Sequence, residues 1–309
     1  MNNNIRTDLA LEMHELLKQE TAANTYLEGV EVFNENHDDI KVTRVKITSK
    51  KGEDQLGKPI GNYITIEYQN TNEPETKKLL CDKLAQELKR LININKKDNI
   101  LIIGLGNKDI TPDSLGPLVV SKLLVTRHLL EYMPESIDEG VRPVCAVATG
   151  VLGTTGIETF EIVQGIVEKV KPQLVIVIDA LAARNISRIG TTIQIADTGI
   201  SPGSGVGNKR KEISKNTLGI PVICIGVPTV IDKNTMVNDV VEIVLDELNP
   251  NIKAKQKILD QTINQENNLM VTPKEIDSLI KRVSKIIANG LNLALHESVT
   301  LEYVDKYIS

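Results

Sequence analysis

The chain has 309 residues, 41% of them hydrophobic and 25% charged, with a net charge of −5. This is globular composition, with enough apolar residue for a sizeable core in one large or two small domains. The acidic balance, the absence of Trp and the presence of only two Phe count against a basic nucleic-acid-binding face or an aromatic base-stacking platform.

No stretch reaches the roughly 18 apolar residues of a membrane-spanning helix. The polar start Met1–Asn4 leads into Ile5-Arg6-Thr7-Asp8 without a signal-like apolar run. Cys81, Cys145 and Cys224 are too scattered for a disulfide framework and form no CxxC pair, so a cysteine zinc site is not expected; Cys145 and Cys224 lie in apolar runs and read as core packing. The expectation is a soluble intracellular protein of a reducing compartment, with no membrane, no direct nucleic-acid partner and no cofactor.

In chain order, residues 9–32 are helix-prone, with Leu9, Leu11, Met13, Leu16 and Leu17 at mixed helical spacing. Ile40–Thr48 and residues 61–68 are rich in Val, Ile, Thr and Tyr, and Ile64, Ile66 and Tyr68 alternate with polar residues. That predicts a small N-terminal β-containing subregion at about residues 40–70. Between the two strands, Gly52, Gly57, Pro59 and Gly61 read as a loop. Leu79, Leu80, Leu84, Leu88, Leu91 and Ile92 then recur at helical spacing.

From residue 99 the style changes. Asn99–Gly104 is a short apolar run, a helix is expected from about Leu118 to Tyr132, and Pro143–Ala148 fits a buried strand. Thr155-Gly-Ile-Glu158 reads as a capping box opening a helix to about Val170. Leu174–Asp179 is the clearest strand and is expected to end on its aspartate; Thr191–Ala196 and Val222–Gly226 are two more. Buried strands alternating with helices predict an α/β fold: a three-layer sandwich around a mainly parallel mixed sheet, with its core at 99–230. Residues 250–268 read as a polar surface connection or an exposed helix. Thr272-Pro-Lys-Glu275 reads as a second capping box, opening a helix with Ile276, Leu279, Ile280, Val283, Ile286 and Ile287 that packs back on the sheet.

Open α/β sheets bind ligands outside the carboxyl ends of their strands. Gly104-Leu-Gly106-Asn107 with Thr111-Pro-Asp113 lies at one such end, and Asp179 lies at another. If the two strands are parallel and close, Asp113 and Asp179 share one edge. Paired carboxylates split their pKa values by repulsion, so one keeps a proton while the other activates water. The same positions also suit two helix caps. Gly104-Leu-Gly106 lacks the third glycine of a dinucleotide fingerprint, because position 109 is Asp. The Gly-rich stretch 197–211, which includes Gly203, Gly205, Lys209 and Arg210, is not a P-loop. It fits either a solvated loop or an anion clamp for acidic residues of a peptide substrate. The four histidines (His14, His37, His128, His296) are scattered, and His128 and His296 read as structural.

Several long motifs carry a resemblance: Gly104-Leu-Gly-Asn…Thr111-Pro-Asp-Ser-Leu-Gly-Pro, Leu124-Val-Thr-Arg-His128, Ile178-Asp-Ala-Leu-Ala-Ala-Arg184, Asp197-Thr-Gly-Ile…Pro-Gly-Ser-Gly-Val-Gly-Asn-Lys-Arg210, Ile225-Gly-Val-Pro-Thr229, Val271-Thr-Pro-Lys-Glu-Ile-Asp277 and Ala288-Asn-Gly-Leu-Asn292. From Ile5 to about Glu297 the chain resembles the spore germination protease family. Family relatives carry a longer segment where this chain has only about residues 232–268. The resemblance implies a fold like that of the hydrogenase maturation proteases and a homotetramer in the spore core or forespore. It implies an atypical aspartic endopeptidase, made as a zymogen, that degrades small acid-soluble spore proteins during germination. The family's catalytic aspartates fall on Asp113 and Asp179, and Asn107, Arg184 and the loop with Gly203, Gly205, Lys209 and Arg210 become candidate substrate contacts by proximity.

Family substrates are cut after an acid and before an apolar residue followed by Ala and then another acid. Arg6-Thr7-Asp8-Leu9-Ala10-Leu11-Glu12 has that form. Residues 1–8 are therefore a candidate propeptide, removed between Asp8 and Leu9, and residues 9–309 a single peptidase domain. Thr7 or Asp8 also suits a helix cap. In the implied mechanism one aspartate deprotonates water while the other, protonated, polarises the scissile carbonyl. The competing readings are a metal-dependent maturation peptidase and a non-catalytic anion- or nucleotide-binding α/β module.

Overall fold

The computed structural model describes residues 8–13, 15, 27–69, 73–204, 210–248 and 269–307. It is an α/β sandwich whose single mixed sheet runs β1-β2-β3-β7-β8-β6-β4-β5, with β9 added on β8. The strands are β1 (Val30–His37), β2 (Ile40–Ile47), β3 (Gly61–Tyr68), β4 (Ile100–Leu105), β5 (Val144–Gly150), β6 (Leu174–Ala183), β7 (Thr192–Ala196), β8 (Val222–Asp232) and β9 (Met270–Val271). Pairing is parallel across β5-β4-β6-β8 and antiparallel elsewhere. Every residue of β4 is buried, as befits a strand covered on both faces.

One face is covered by the helices Pro74–Leu91, Leu115–Val120 and Ile276–Leu295. Leu80, Leu84 and Leu88 meet Ile280, Val283 and Ile287 there, over Ile100, Ile102, Ile176 and Ile178 of the sheet. The helix Thr159–Val170 covers the opposite face, with Phe160 and Val163 against Leu101, Ile103, Val175 and Val177. Each fully buried Leu or Ile contributes about 1.5–3 kcal/mol through burial alone. The N-terminal subregion continues the same sheet through β3 and β7, over a smaller core of Val30, Val45, Ile47, Leu56 and Tyr63.

Several elements depart from the expectations. β1 begins at Val30, inside the helix-prone stretch; residues 16–26 lie outside those described. The loop between β2 and β3 holds a helix, Lys50–Leu56, capped by Ser49 and closed by Gly57 in the left-handed conformation. The helix expected over Leu118–Tyr132 is two, Leu115–Val120 and Arg127–Tyr132. They part because buried Thr126 accepts Val144 N–H and donates to Arg142 O, tying the chain to β5. Neither capping box forms. Thr155 ends a short helix, Leu152–Thr155, with its hydroxyl on Val151 O and Ile157 N; Thr272 donates to Thr229 O, and its helix starts at Ile276. β6 does not stop at Asp179, because Ala180–Ala183 pair on with the equally extended β8.

His128 is exposed rather than packed. His296 is structural: it accepts Arg142 N–H at Nδ1 and contacts Leu124 O through Nε2, and burial pushes its pKa down to about 4. Cys81 and Cys224 are buried and Cys145 is partly buried. Residues 250–268 lie outside those described. Among the described residues no helix is long and apolar enough to cross a membrane.

Candidate active site

β4 runs out at Leu105 and the chain turns at Gly106, whose φ of 106° belongs to glycine. A Cβ there would lie 1.9 Å from the carbonyl oxygen of Asp113, so only glycine lets the loop fold back on the strand end. A 3₁₀ turn, Thr111–Asp113, then presents the aspartate, and Asp113 Oδ2 accepts Asn107 N–H at 2.8 Å. Gly104 and Gly116 bring the following helix against β4: a Cβ on Gly104 would lie 2.4 Å from Gly116 O.

Asp179 follows Ile178, the residue of β6 that pairs with Gly104 of β4. It is 7% exposed, and its Oδ1 accepts Ala180 N–H at 2.9 Å. Burial drives its pKa well above the carboxylate range, with the nearby charges of Asp113 and Asp8 adding to the rise. Burial also raises Asp113, while the Asn107 N–H bond holds it back. Both acids are thus pushed toward their protonated forms, Asp179 further than Asp113. Neither caps a helix.

Both aspartates line one cleft of about 1230 Å³, together with Asp8, Lys58, Gln194, Gly203, Ser204 and Arg210. Asp8 is tied into it by several bonds. Asp8 N–H donates to Ala182 O at 3.2 Å, and Asp8 Oδ2 accepts Ala182 N–H at 3.0 Å. Ser204 Oγ donates to Asp8 Oδ1 at 3.0 Å. The Asp8 carbonyl accepts Lys58 Nζ at 3.0 Å and Gln194 Nε2 at 3.2 Å. Leu9 and Ala10 are fully buried. One helical turn later, Glu12 accepts the N–H groups of Arg184 and Asn185 at 2.9 and 3.0 Å and pairs with Arg188 at 3.4 Å.

The cleft thus brings together Asp113, Asp179, Asp8, Gly203 and Arg210, with Leu9 buried next to Asp8. Arg210 pairs with Glu158 at 3.4 Å. Asn107 serves through its main chain, and its Oδ1 accepts Asp109 N–H. Arg184 meets Glu12 through its N–H. Gly205 and Lys209 lie outside the described residues. Sequence reasoning missed Lys58, Arg188, Gln194 and Ser204. Ser204 stood inside a stretch already singled out, whereas a lone Lys, Arg or Gln carries no signal. Among the described residues, no three His, Cys, Asp or Glu side chains are grouped to hold a metal ion.

The sequence profile of the germination proteases matches residues 10–266 and 253–308. The chain belongs to the germination protease family. It is 44% identical to the germination protease of Clostridium acetobutylicum, covering 99% of this chain and all of that one. It is 47% identical to that of Clostridium perfringens, covering 99% of each, and 43% identical to that of a Geobacillus species, covering 98% of this chain and 96% of the relative. A germination protease is a peptidase, so this chain is an endopeptidase, and a binding module without catalysis is set aside.

Proposed function

We propose that this endopeptidase starts the breakdown of small acid-soluble spore proteins during germination, and that it is made as a zymogen which cuts itself between Asp8 and Leu9. One observation supports the reading: Asp8, the first residue of Asp-Leu-Ala-Leu-Glu, lines the cleft together with Asp113 and Asp179, and both acids of that sequence accept main-chain N–H groups, Asp8 from Ala182 and Glu12 from Arg184 and Asn185. The acid before the bond contacts Ala182 and Ser204, and the acid four residues on contacts Arg184, Asn185 and Arg188. A substrate of the same form would use the same contacts. Residues 1–8 are then the propeptide and 9–309 the working peptidase, which the segment blocks until it leaves.

Asp113 is the base and Asp179 the acid, in keeping with the environments that split their pKa values. Working in the spore core as a homotetramer is part of the same reading. Val240 and Val244, one turn apart on the exposed face of the helix Lys233–Leu248, are 57% and 50% exposed and suit a subunit contact. A monomer in sedimentation would overturn the assembly.

The function is tested with the peptide Thr-Glu-Ile-Ala-Ser-Glu after activation at mildly acid pH. Wild type should cut between Glu and Ile, and Asp113→Asn and Asp179→Asn should each lose at least about 100-fold. Cleavage that survives in both variants would overturn the site. An N-terminus other than Leu9 after maturation would overturn the self-processing bond.

A further inference from the structure

We infer that Lys58 and Gln194 are catalytic residues that hold the scissile carbonyl oxygen during hydrolysis. The inference rests on the self-processing reading above, because the carbonyl they touch is that of Asp8, the residue before the proposed bond.

Lys58 leaves the β2–β3 connection just after the Gly57 cap and reaches Asp8 O with Nζ at 3.0 Å. Among the described residues it has no carboxylate within ion-pair distance. A lysine spending its ammonium on one main-chain carbonyl in a covered site is an expensive structural device, since such charges are normally paired. Burial lowers its pKa, against the attraction of Asp8 and Glu12. Gln194 lies on β7, 9% exposed. The orientation of its amide follows from its partners. Ala10 N–H can only donate, and it meets Oε1 at 2.7 Å, so Nε2 must face Asp8 O at 3.2 Å. Two donors on different elements thus converge on one oxygen, next to the residue that leaves with the amine. That is the arrangement in which charge forming on a carbonyl oxygen is stabilised without reorganisation.

The chemistry then divides. Water adds to the Asp8 carbonyl carbon and gives one proton to Asp113. The carbonyl electron pair moves onto oxygen, where Lys58 and Gln194 hold it. As the intermediate collapses, the C–N bond breaks and the Leu9 nitrogen takes the proton of Asp179. The products are a carboxylic acid on Asp8 and the free amine of Leu9, and a proton passing from Asp113 to Asp179 resets the pair. Asp179 need not polarise the carbonyl, which leaves its proton for the leaving group.

The test follows release of the Leu9 N-terminus from the full chain by intact mass spectrometry at mildly acid pH. Amide exchange at Ala10 reports in parallel whether the segment is still seated. Lys58→Met should slow release at least about 100-fold with Ala10 still protected, and Lys58→Arg should recover at least about tenfold of that loss. Gln194→Glu keeps the acceptor for Ala10 N–H but removes the donor, and should slow release at least about tenfold. Either variant decides alone if the other does not fold. Release within threefold of wild type in a folded variant would overturn the clamp while leaving self-processing intact. Wild-type chain that never releases Leu9 would overturn the self-processing reading, and the clamp with it.

Discussion

In the parallel half of the sheet, β4 and β6 are apolar on both faces and end or pass beneath two acids, Asp113 and Asp179, that burial keeps from ionising together. In the antiparallel half, β2 packs on both faces: Ile40 and Val42 join the main core, Val45 and Ile47 face the other way into the smaller core, and Lys41 and Lys46 are exposed. That half and its connections send two polar groups into the same cleft, Lys58 after the Gly57 cap and Gln194 from β7, while Arg188 from the β6–β7 connection pairs with Glu12. On the proposed mechanism, one half supplies the groups that move protons and the other the groups that hold the peptide.

This division can be broken one half at a time. The largest effect is expected from Gly106→Ala, which touches only the parallel half. The new methyl would displace Asp113, so peptide cleavage should fall at least about 100-fold, and urea unfolding should show a loss of about 2–4 kcal/mol. Exchange at Ala10 should not change, because its partner is Gln194. Activity within threefold of wild type would break the link between the turn at Gly106 and the placing of Asp113.

Arg188→Ala touches only the antiparallel side. Wild type should prefer Thr-Glu-Ile-Ala-Ser-Glu over the same peptide ending in Gln by about tenfold or more in kcat/KM, the worth of hydrogen bonds to a charged group. In Arg188→Ala the preference should shrink to about threefold, the remainder coming from the Arg184 and Asn185 N–H groups. An undiminished preference would remove Arg188 from the site.

The smallest effect is on stability and sharpens the asymmetry between the two acids. Asp179 has a folded pKa above its unfolded one, so below the ordinary carboxylate range it is protonated in both states and contributes nothing. As pH rises toward its folded pKa the unfolded chain ionises first, and stability falls. Asp179→Asn removes that penalty. It should melt at least about 2 °C higher than wild type at pH 7, with the gain fading as pH drops toward 3.8, the ordinary aspartate value. An equal or lower melting temperature at pH 7 would mean that the buried acid is held by partners that favour its charge.

Legibility followed the same boundary. β4 and the buried part of β6 were readable because a strand covered on both faces must be apolar throughout. Asp179 stood out as an acid after such a run, and Asp113 as an acid in the loop that follows one. The extension of β6 past Asp179 was hidden, because it exists only through pairing with an equally extended β8. The two capping boxes were legible as patterns and did not form, because Thr155 and Thr272 found other partners in the folded chain. β1 was concealed by a helix-prone stretch whose strand identity comes from pairing with β2.

The sequence by itself determined the α/β class and the apolar strands, since a strand closed to water on both faces must be apolar throughout, and it offered Asp113 and Asp179 as candidates at the strand ends. It also displayed the run Asp8–Glu12 as a pattern of acid, apolar, small and acid. Only the tertiary structure decided that Asp8 shares a cleft with the two aspartates, that Lys58 and Gln194 meet on one carbonyl oxygen, and that Asp179 is more deeply buried than Asp113. Those are matters of approach between residues as far apart as Asp8 and Gln194, and of how deeply each group is buried, and neither is written in any local stretch of chain.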